Sequence, residues 1–257
     1  LLVPILAPGL GAVLLSFAPW RILFWVPAVC ALALVVWLRR LPETLAPERR
    51  RAFTFRSLFE AARVVVTNRQ CVCFTLAVTF LFAVMTSYIS NSELIIDEVY
   101  HHANWFPVYF GGVGVLLALS SLNNARLVRR VGITVLVRRM AVVGVVLAAV
   151  FLAVCLAGSG HPTFALFGLS LAIVVPTAQG LVPNCNTAAM MPVPHVAGTA
   201  SAMMATVTTA GGALIGGLVT NAYDGTTRPF AIGIMACFVA AAALIAAATT
   251  GSRSAGD

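Results

Sequence analysis

The chain has 257 residues, 60% of them hydrophobic and only 9% charged, with a mean hydropathy of +0.98 and a formal net charge of +8. A soluble domain carries about 25% charged residues, so this composition lacks the polar surface that water demands and excludes a water-soluble globular protein. All sixteen basic residues are arginines, and thirteen sit in two segments between apolar runs, where membrane topology accounts for them without a nucleic-acid partner.

Residues 1–20 carry no charge and reach the ~20 residues that a spanning helix needs. Pro4, Pro8, Gly9 and Gly11 within this run permit a bend and the close approach of a neighbouring helix. After a turn at Ala18-Pro19, residues 20–38 form a second span, with Trp20, Trp25 and Trp37 as interfacial anchors. Residues 39–70 then bring eight arginines, which marks this segment as cytoplasmic. Inside it Phe55, Leu58, Phe59, Ala62 and Val66 share one helical face, while Arg56, Glu60, Arg63 and Thr67 share another. That pattern suits a helix lying on the inner membrane surface or an ordinary docked linker.

The third span, residues 70–92, runs outward to Glu93, Asp97 and Glu98, and the fourth, residues 103–125, returns to a second basic loop holding Arg126, Arg129, Arg130, Arg138 and Arg139. Residues 140–223 contain no Asp, Glu, Lys or Arg. As one helix this run would extend ~126 Å, about four times the ~30 Å hydrocarbon core, so it must fold back. Glycine and proline place turns at 158–162 and 192–195, giving spans at 140–157, 163–190 and 197–220. A loop at 224–228 and a last span at 229–250 complete eight transmembrane helices. Fourteen of the sixteen arginines then face the cytoplasm, as do both chain ends.

Several stretches resemble the major facilitator superfamily, and within it the Bcr/CflA-type drug resistance efflux transporters. Val3-Pro4-Ile5-Leu6-Ala7-Pro8-Gly9-Leu10-Gly11 is similar to the family's proline- and glycine-rich antiporter motif, carried here by Pro4, Pro8 and Gly11. Trp20-Arg21-Ile22-Leu23-Phe24-Trp25 and Leu41-Pro42-Glu43-Thr44-Leu45 resemble the start and the aftermath of its sixth helix. Tyr88-Ile89-Ser90-Asn91-Ser92 with Glu98-Val99-Tyr100 is similar to the end of the seventh. The sharpest match is Asn124-Ala125-Arg126-Leu127-Val128-Arg129-Arg130-Val131-Gly132, after the eighth helix. Pro183-Asn184 and Gly198-Thr199-Ala200-Ser201-Ala202 resemble the tenth and eleventh.

The resemblance implies an all-α integral membrane protein with a partial major-facilitator fold, its eight spans corresponding to helices five to twelve. Residues 1–38 are then the last two helices of a first bundle, 39–70 a basic cytoplasmic linker with an amphipathic helix, 71–250 a complete six-helix second bundle and 251–257 a cytoplasmic tail. It further implies proton-coupled efflux of small compounds across a bacterial inner membrane, with no cofactor and no chemistry on the substrate. The expected partners are substrate, protons and lipid, and the complete protein is expected to be monomeric. Residue 1 falls inside an apolar run, so the chain is expected to lack its first four helices, with the membrane-embedded acids that the family commonly uses. Asn91, Glu93 and Ala12 depart from the family's usual residues. A metabolite carrier of the same superfamily, or an inactive or split fragment, remains the alternative; an integral-membrane enzyme has no nucleophile and base to support it.

Among individual residues, Gln179, Asn184 and Asn186 lie within a charge-free span, where an unpaired amide is costly. They are candidates for lining a substrate cavity, with Tyr88 and Asn91, or for interhelical hydrogen bonds. Glu93 is a candidate protonatable group or an exposed residue at the outer mouth. Arg126, Arg129, Arg130 and Gly132 suit a cytoplasmic latch or a plain positive-inside anchor. Asp97 with His101 and Glu98 with His102 have i, i+4 spacing but no further ligands, so no metal site is expected. Gly198, Ala202, Thr206, Ala210, Gly212 and Gly216 read as a helix-packing stripe, and the six scattered cysteines as free thiols.

Overall fold

Every backbone amide in hydrocarbon must find its partner within the protein, and the helix is the local solution. The computed structural model describes residues 11, 13–41, 54–101 and 106–250 and is helical throughout, with no strand among the described residues. The chain divides into two compact units, Leu1–Ser57 and Leu58–Asp257. The boundary falls inside the segment expected to be a linker.

In the first unit, residues 13–17 are helical and α1 runs over Ile22–Leu38 with Pro27 inside it. Its 17 residues are apolar and none is buried, and Trp20 packs edge-on to Phe24 (5.9 Å) beneath the Arg21 guanidinium (5.3 Å). Most of the first expected span, including Pro4 and Pro8, lies outside the described residues.

α2, Phe55–Thr67, leads into the second unit, where six helices are long and apolar enough to cross a membrane. They are α3 (Arg69–Glu98), α4 (Phe106–Val131), α5 (Ile133–Ala157), α6 (Phe164–Met190), α7 (Ala197–Asn221) and α8 (Arg228–Thr250). The turns after α5 and α6 fall where glycine and proline placed them, with a short 3-10 turn at Pro194–Val196 before α7, and the break after α7 contains the expected 224–228 loop up to Arg228. Two expectations need correction. The second basic loop is the last turns of α4 and the first turns of α5, joined at Gly132, whose φ of 81° suits a residue without Cβ. Arginines prolong these helices because long side chains reach water while the backbone stays bonded. Likewise α3 continues past residue 92, where the third span was expected to end, and Asp97 and Glu98 close its last turn.

The bundle is organised around α3, which packs against α6, α7 and α8; α5 packs against α6 and α8, and α4 against α6. Asn68 caps α3, its side chain accepting from the Cys71 amide at 2.9 Å. Thr75 and Thr79 return their hydroxyls to carbonyls one turn back, so they enter the core without an unpaired donor. Phe151, Phe167 and Phe230 form an aromatic cluster joining α5, α6 and α8. At the end remote from α2, Asp224 accepts from the Thr226 hydroxyl (2.7 Å) and amide (3.0 Å), which hold its carboxyl below the ordinary range. Thr227 ties that turn to the Gly160 carbonyl at 3.0 Å.

Charge separates along the bundle axis. Arg63, Arg69, Arg126, Arg129, Arg130, Arg138 and Arg139 of the second unit crowd one end, with Glu60 the lone acid there among the described residues. Glu93, Asp97, Glu98 and Asp224 lie at the other end, with Arg228.

Close packing of α3 on α7 depends on glycine, but on only part of the predicted stripe. A Cβ at Gly212 would stand 2.6 Å from Phe82 Cδ1, and one at Gly216 would overlap Thr86 Oγ1. The same Thr86 hydroxyl donates across the seam to the Gly212 carbonyl at 2.9 Å. Ala202, Thr206 and Ala210 instead face outward, and a Cβ at Gly198 would meet nothing within 4 Å. A four-residue repeat advances about 40° past each full turn at 100° per residue, so a stripe that long drifts off one partner. Gly216→Leu is accordingly expected to destabilise the purified chain by about 1–3 kcal/mol through overpacking, seen as a lower thermal unfolding midpoint in detergent. Gly217→Leu, where a Cβ meets open space, should leave that midpoint unchanged.

Candidate functional site

Polar side chains break the apolar interior of the second unit in three places. The first is the seam between α4 and α6, which run in the same direction. Tyr109 donates to the Gly168 carbonyl (3.2 Å), Ser120 to the Pro176 carbonyl (3.1 Å), and Asn184 Nδ2 to Asn124 Oδ1 (2.8 Å) and the Gly180 carbonyl (3.1 Å). Asn124 Nδ2 lies 3.5 Å from Asn184 Oδ1, so the two buried amides face one another as a pair. Gly180 fits closely beside the pair, since a Cβ there would stand 3.0 Å from Met140 Cε and 3.2 Å from Ser120 Oγ. Of the two roles open to Asn184, this geometry supplies the interhelical hydrogen bond.

The second place is the half of α3 remote from α2. Ser87, Tyr88, Asn91 and Ser92 are fully buried there. Asn91 Nδ2 donates to the Ser87 carbonyl and to Thr220 Oγ1 of α7, both at 2.9 Å, and Tyr88 stacks on Phe110 of α4 at 5.5 Å. Ser87 Oγ, Tyr88 OH, Asn91 Oδ1 and Ser92 Oγ have no hydrogen-bond partner among the described residues. Each such atom costs about 1–3 kcal/mol unless a polar group or water reaches it.

The third place is a cavity of about 430 Å³ between α3, α6 and α7, in the half of the bundle nearer α2. Val78, Phe82, Val182, Met190 and Met204 make its apolar walls; Asn186, Ser201, Thr208 and Thr209 supply hydrogen-bonding groups. That size and mixture match a site for a small organic molecule. A larger crevice of about 640 Å³ between α7 and α8 has almost no hydrogen-bonding side chain and offers nothing to orient a ligand.

The five residues expected to line one cavity therefore lie apart. Asn186 lines the 430 Å³ cavity, Asn184 pairs with Asn124, Tyr88 and Asn91 belong to the far half of α3, and Gln179 is half-buried in α6 with no hydrogen-bond partner for Nε2 among the described residues. Glu93 is exposed near the end of α3. Arg126, Arg129 and Arg130 are exposed on the last turns of α4, and no carboxylate among the described residues pairs with them. The described residues hold no group of three or more His, Cys, Asp or Glu that could bind a metal. His101, past the end of α3, has a φ of 54°, and His102 lies outside the described residues. Cys30 faces outward, whereas the other five thiols are buried or half-buried.

Sequence reasoning assigned no role to Asn124, Thr220, Ser201, Thr208 or Thr209. Asn124 did carry a signal, as an amide one turn inside the arginines, but threonine and serine in an apolar helix usually return their hydroxyls to the backbone and announce nothing. The amide pair makes a defined expectation. Asn124→Leu or Asn184→Leu alone leaves one buried amide unpartnered and should lower stability by about 0.6–1.7 kcal/mol. The double replacement should recover part of that loss. A double-mutant cycle on thermal unfolding in detergent checks it, and strict additivity would contradict the pairing.

Residues 1–216 match the family model described as Major Facilitator Superfamily. Over 246 residues the chain is 24% identical to a bicyclomycin resistance protein homolog of Haemophilus influenzae, covering 93% of this chain and 60% of that protein. It is 25% identical over 220 residues to an uncharacterised MFS-type transporter, YdgK, of Bacillus subtilis, covering 84% of this chain and 54% of that one. The chain thus spans somewhat more than half the length of these curated relatives. With six span-length helices packed around α3 and a family match over most of its length, this chain belongs to the Major Facilitator Superfamily of membrane transporters.

Proposed function

We propose that this chain serves proton-driven export of small, drug-like compounds, its second unit forming one of two bundles that rock about a shared central cavity. The observation that carries this reading is the 430 Å³ cavity, where methionine and aromatic walls surround a few hydrogen-bonding groups centred on Asn186. Unbranched thioether side chains adapt to apolar surfaces of different shape, which suits a carrier of varied amphipathic molecules. The name of the Haemophilus influenzae relative, a bicyclomycin resistance protein homolog, supports the same substrate class.

The arginine-bearing end faces the cytoplasm by the positive-inside rule, in a bacterial inner membrane. Arg126, Arg129 and Arg130 beside the Gly132 hinge then act as a latch that engages acids in one state of the cycle. All carboxylates among the described residues, namely Glu60, Glu93, Asp97, Glu98 and Asp224, are exposed. A proton carried through the membrane requires a sheltered group whose charge changes during the cycle. The coupling acid is therefore assigned to helices outside this second bundle, and the energy source is the proton gradient without a cofactor.

Drug susceptibility of efflux-deficient cells tests the reading, with this chain and the longest coding sequence that contains it expressed in parallel. Protection that disappears when the proton gradient is collapsed is expected; no protection despite protein in the membrane would remove drug export. Asn186→Leu should cut export of substrates with a polar group about tenfold, the equivalent of ~1.4 kcal/mol for one hydrogen bond. Glu93→Gln should leave the pH dependence of export in place, and loss of that dependence would move proton coupling to Glu93.

A further inference from the structure

Helix α2 has three faces rather than two. At 100° per residue, Ala61 and Val65 lie on one stripe, and these two side chains are buried in the core of the second unit. The apolar stripe that the sequence picks out, Phe55, Leu58, Phe59, Ala62 and Val66, is centred about 100° round the helix from them. It is largely uncovered, with Phe59 73% and Val66 58% exposed. The arginine-bearing stripe follows about 110° further on. A helix held by one edge, with an apolar side at about a right angle to that edge and a charged side turned about 150° from it, fits a boundary between hydrocarbon and water.

The connection to α3 places the helix at such a boundary. Asn68 alone separates α2 from a 30-residue helix that crosses the membrane, so α2 stands where α3 leaves the bilayer. Charge identifies the surface. Seven arginines and one acid of the described second unit lie at this end, while four acids and one arginine lie at the other.

We infer that α2 is an interfacial anchor that binds anionic phospholipid. Phe59 and Val66 sit in the acyl boundary of the leaflet at the arginine-bearing end, while Arg63 and its neighbours at that end engage the headgroups. The inference is independent of what the protein transports, because it needs only that α3 spans the membrane.

Spin labels at Phe59→Cys and Arg63→Cys, in the full chain reconstituted in vesicles, test it, with labelling of the unsubstituted chain subtracted. In phosphatidylcholine with phosphatidylglycerol, the label at 59 should collide severalfold more with oxygen than with a water-soluble nickel complex, and the label at 63 should show the reverse. Removing phosphatidylglycerol should make the label at 59 shallower. Nickel-dominated collisions at 59 would mean a face open to water, and low collisions with both reagents would mean a face covered by protein. Either result overturns the anchor. A depth at 59 that ignores phosphatidylglycerol would overturn the recognition of anionic lipid.

Discussion

A hydrocarbon interior offers no water to a backbone amide, and that constraint accounts for most of what this molecule is. It forces residues 140–223, which carry no charge, into three antiparallel helices broken only where glycine and proline can turn the chain. It also governs the side chains. Thr75 and Thr79 reach back to their own helix, Thr86 crosses to the Gly212 carbonyl, and Asn184 finds Asn124. Each arrangement removes a donor or acceptor that would otherwise stand exposed to lipid.

Where that accounting is incomplete, the molecule has room for function. The unpartnered Ser87, Tyr88, Asn91 and Ser92 atoms occupy one half of α3, and the cavity around Asn186 opens against the other half. A single central helix therefore carries two polar environments, one in each half. A bundle that moves as a rigid body can present such environments alternately, whereas a bundle of loosely packed helices would deform. Glycine-to-side-chain contact at Gly212 and Gly216 supplies rigidity on the α7 side, and Gly144 against Phe238 does so between α5 and α8.

The charged groups follow a different logic, because they stay at the ends. Arginines on the last turns of α4 and the first turns of α5 continue those helices past the hydrocarbon, with Gly132 providing the one backbone reversal between them. Family membership, six span-length helices and this axial separation of charge agree on a membrane transporter.

Much of this fold was legible in the sequence. Span positions, the turns near 158–162 and 192–195, and the close approach of Gly212 and Gly216 follow from local rules: hydrocarbon thickness, glycine and proline backbone preferences, and the absence of a Cβ. The resemblance to the superfamily needed only short motifs in order along the chain. Which polar residues meet was not legible. Gln179, Asn184 and Asn186 look alike in sequence, yet the first is half-buried with no partner for its nitrogen among the described residues, the second is paired across a seam and the third lines a cavity. Successive positions on a helix point 100° apart, and the partner that satisfies each amide comes from a different helix, 60 residues away for Asn184. The sequence by itself therefore determined that this chain spans a membrane and where its helices turn, because those are local properties of chain and solvent. Only the tertiary structure decided which side chains pair and which remain open to a ligand, because that depends on rotation and register between helices that no single segment encodes.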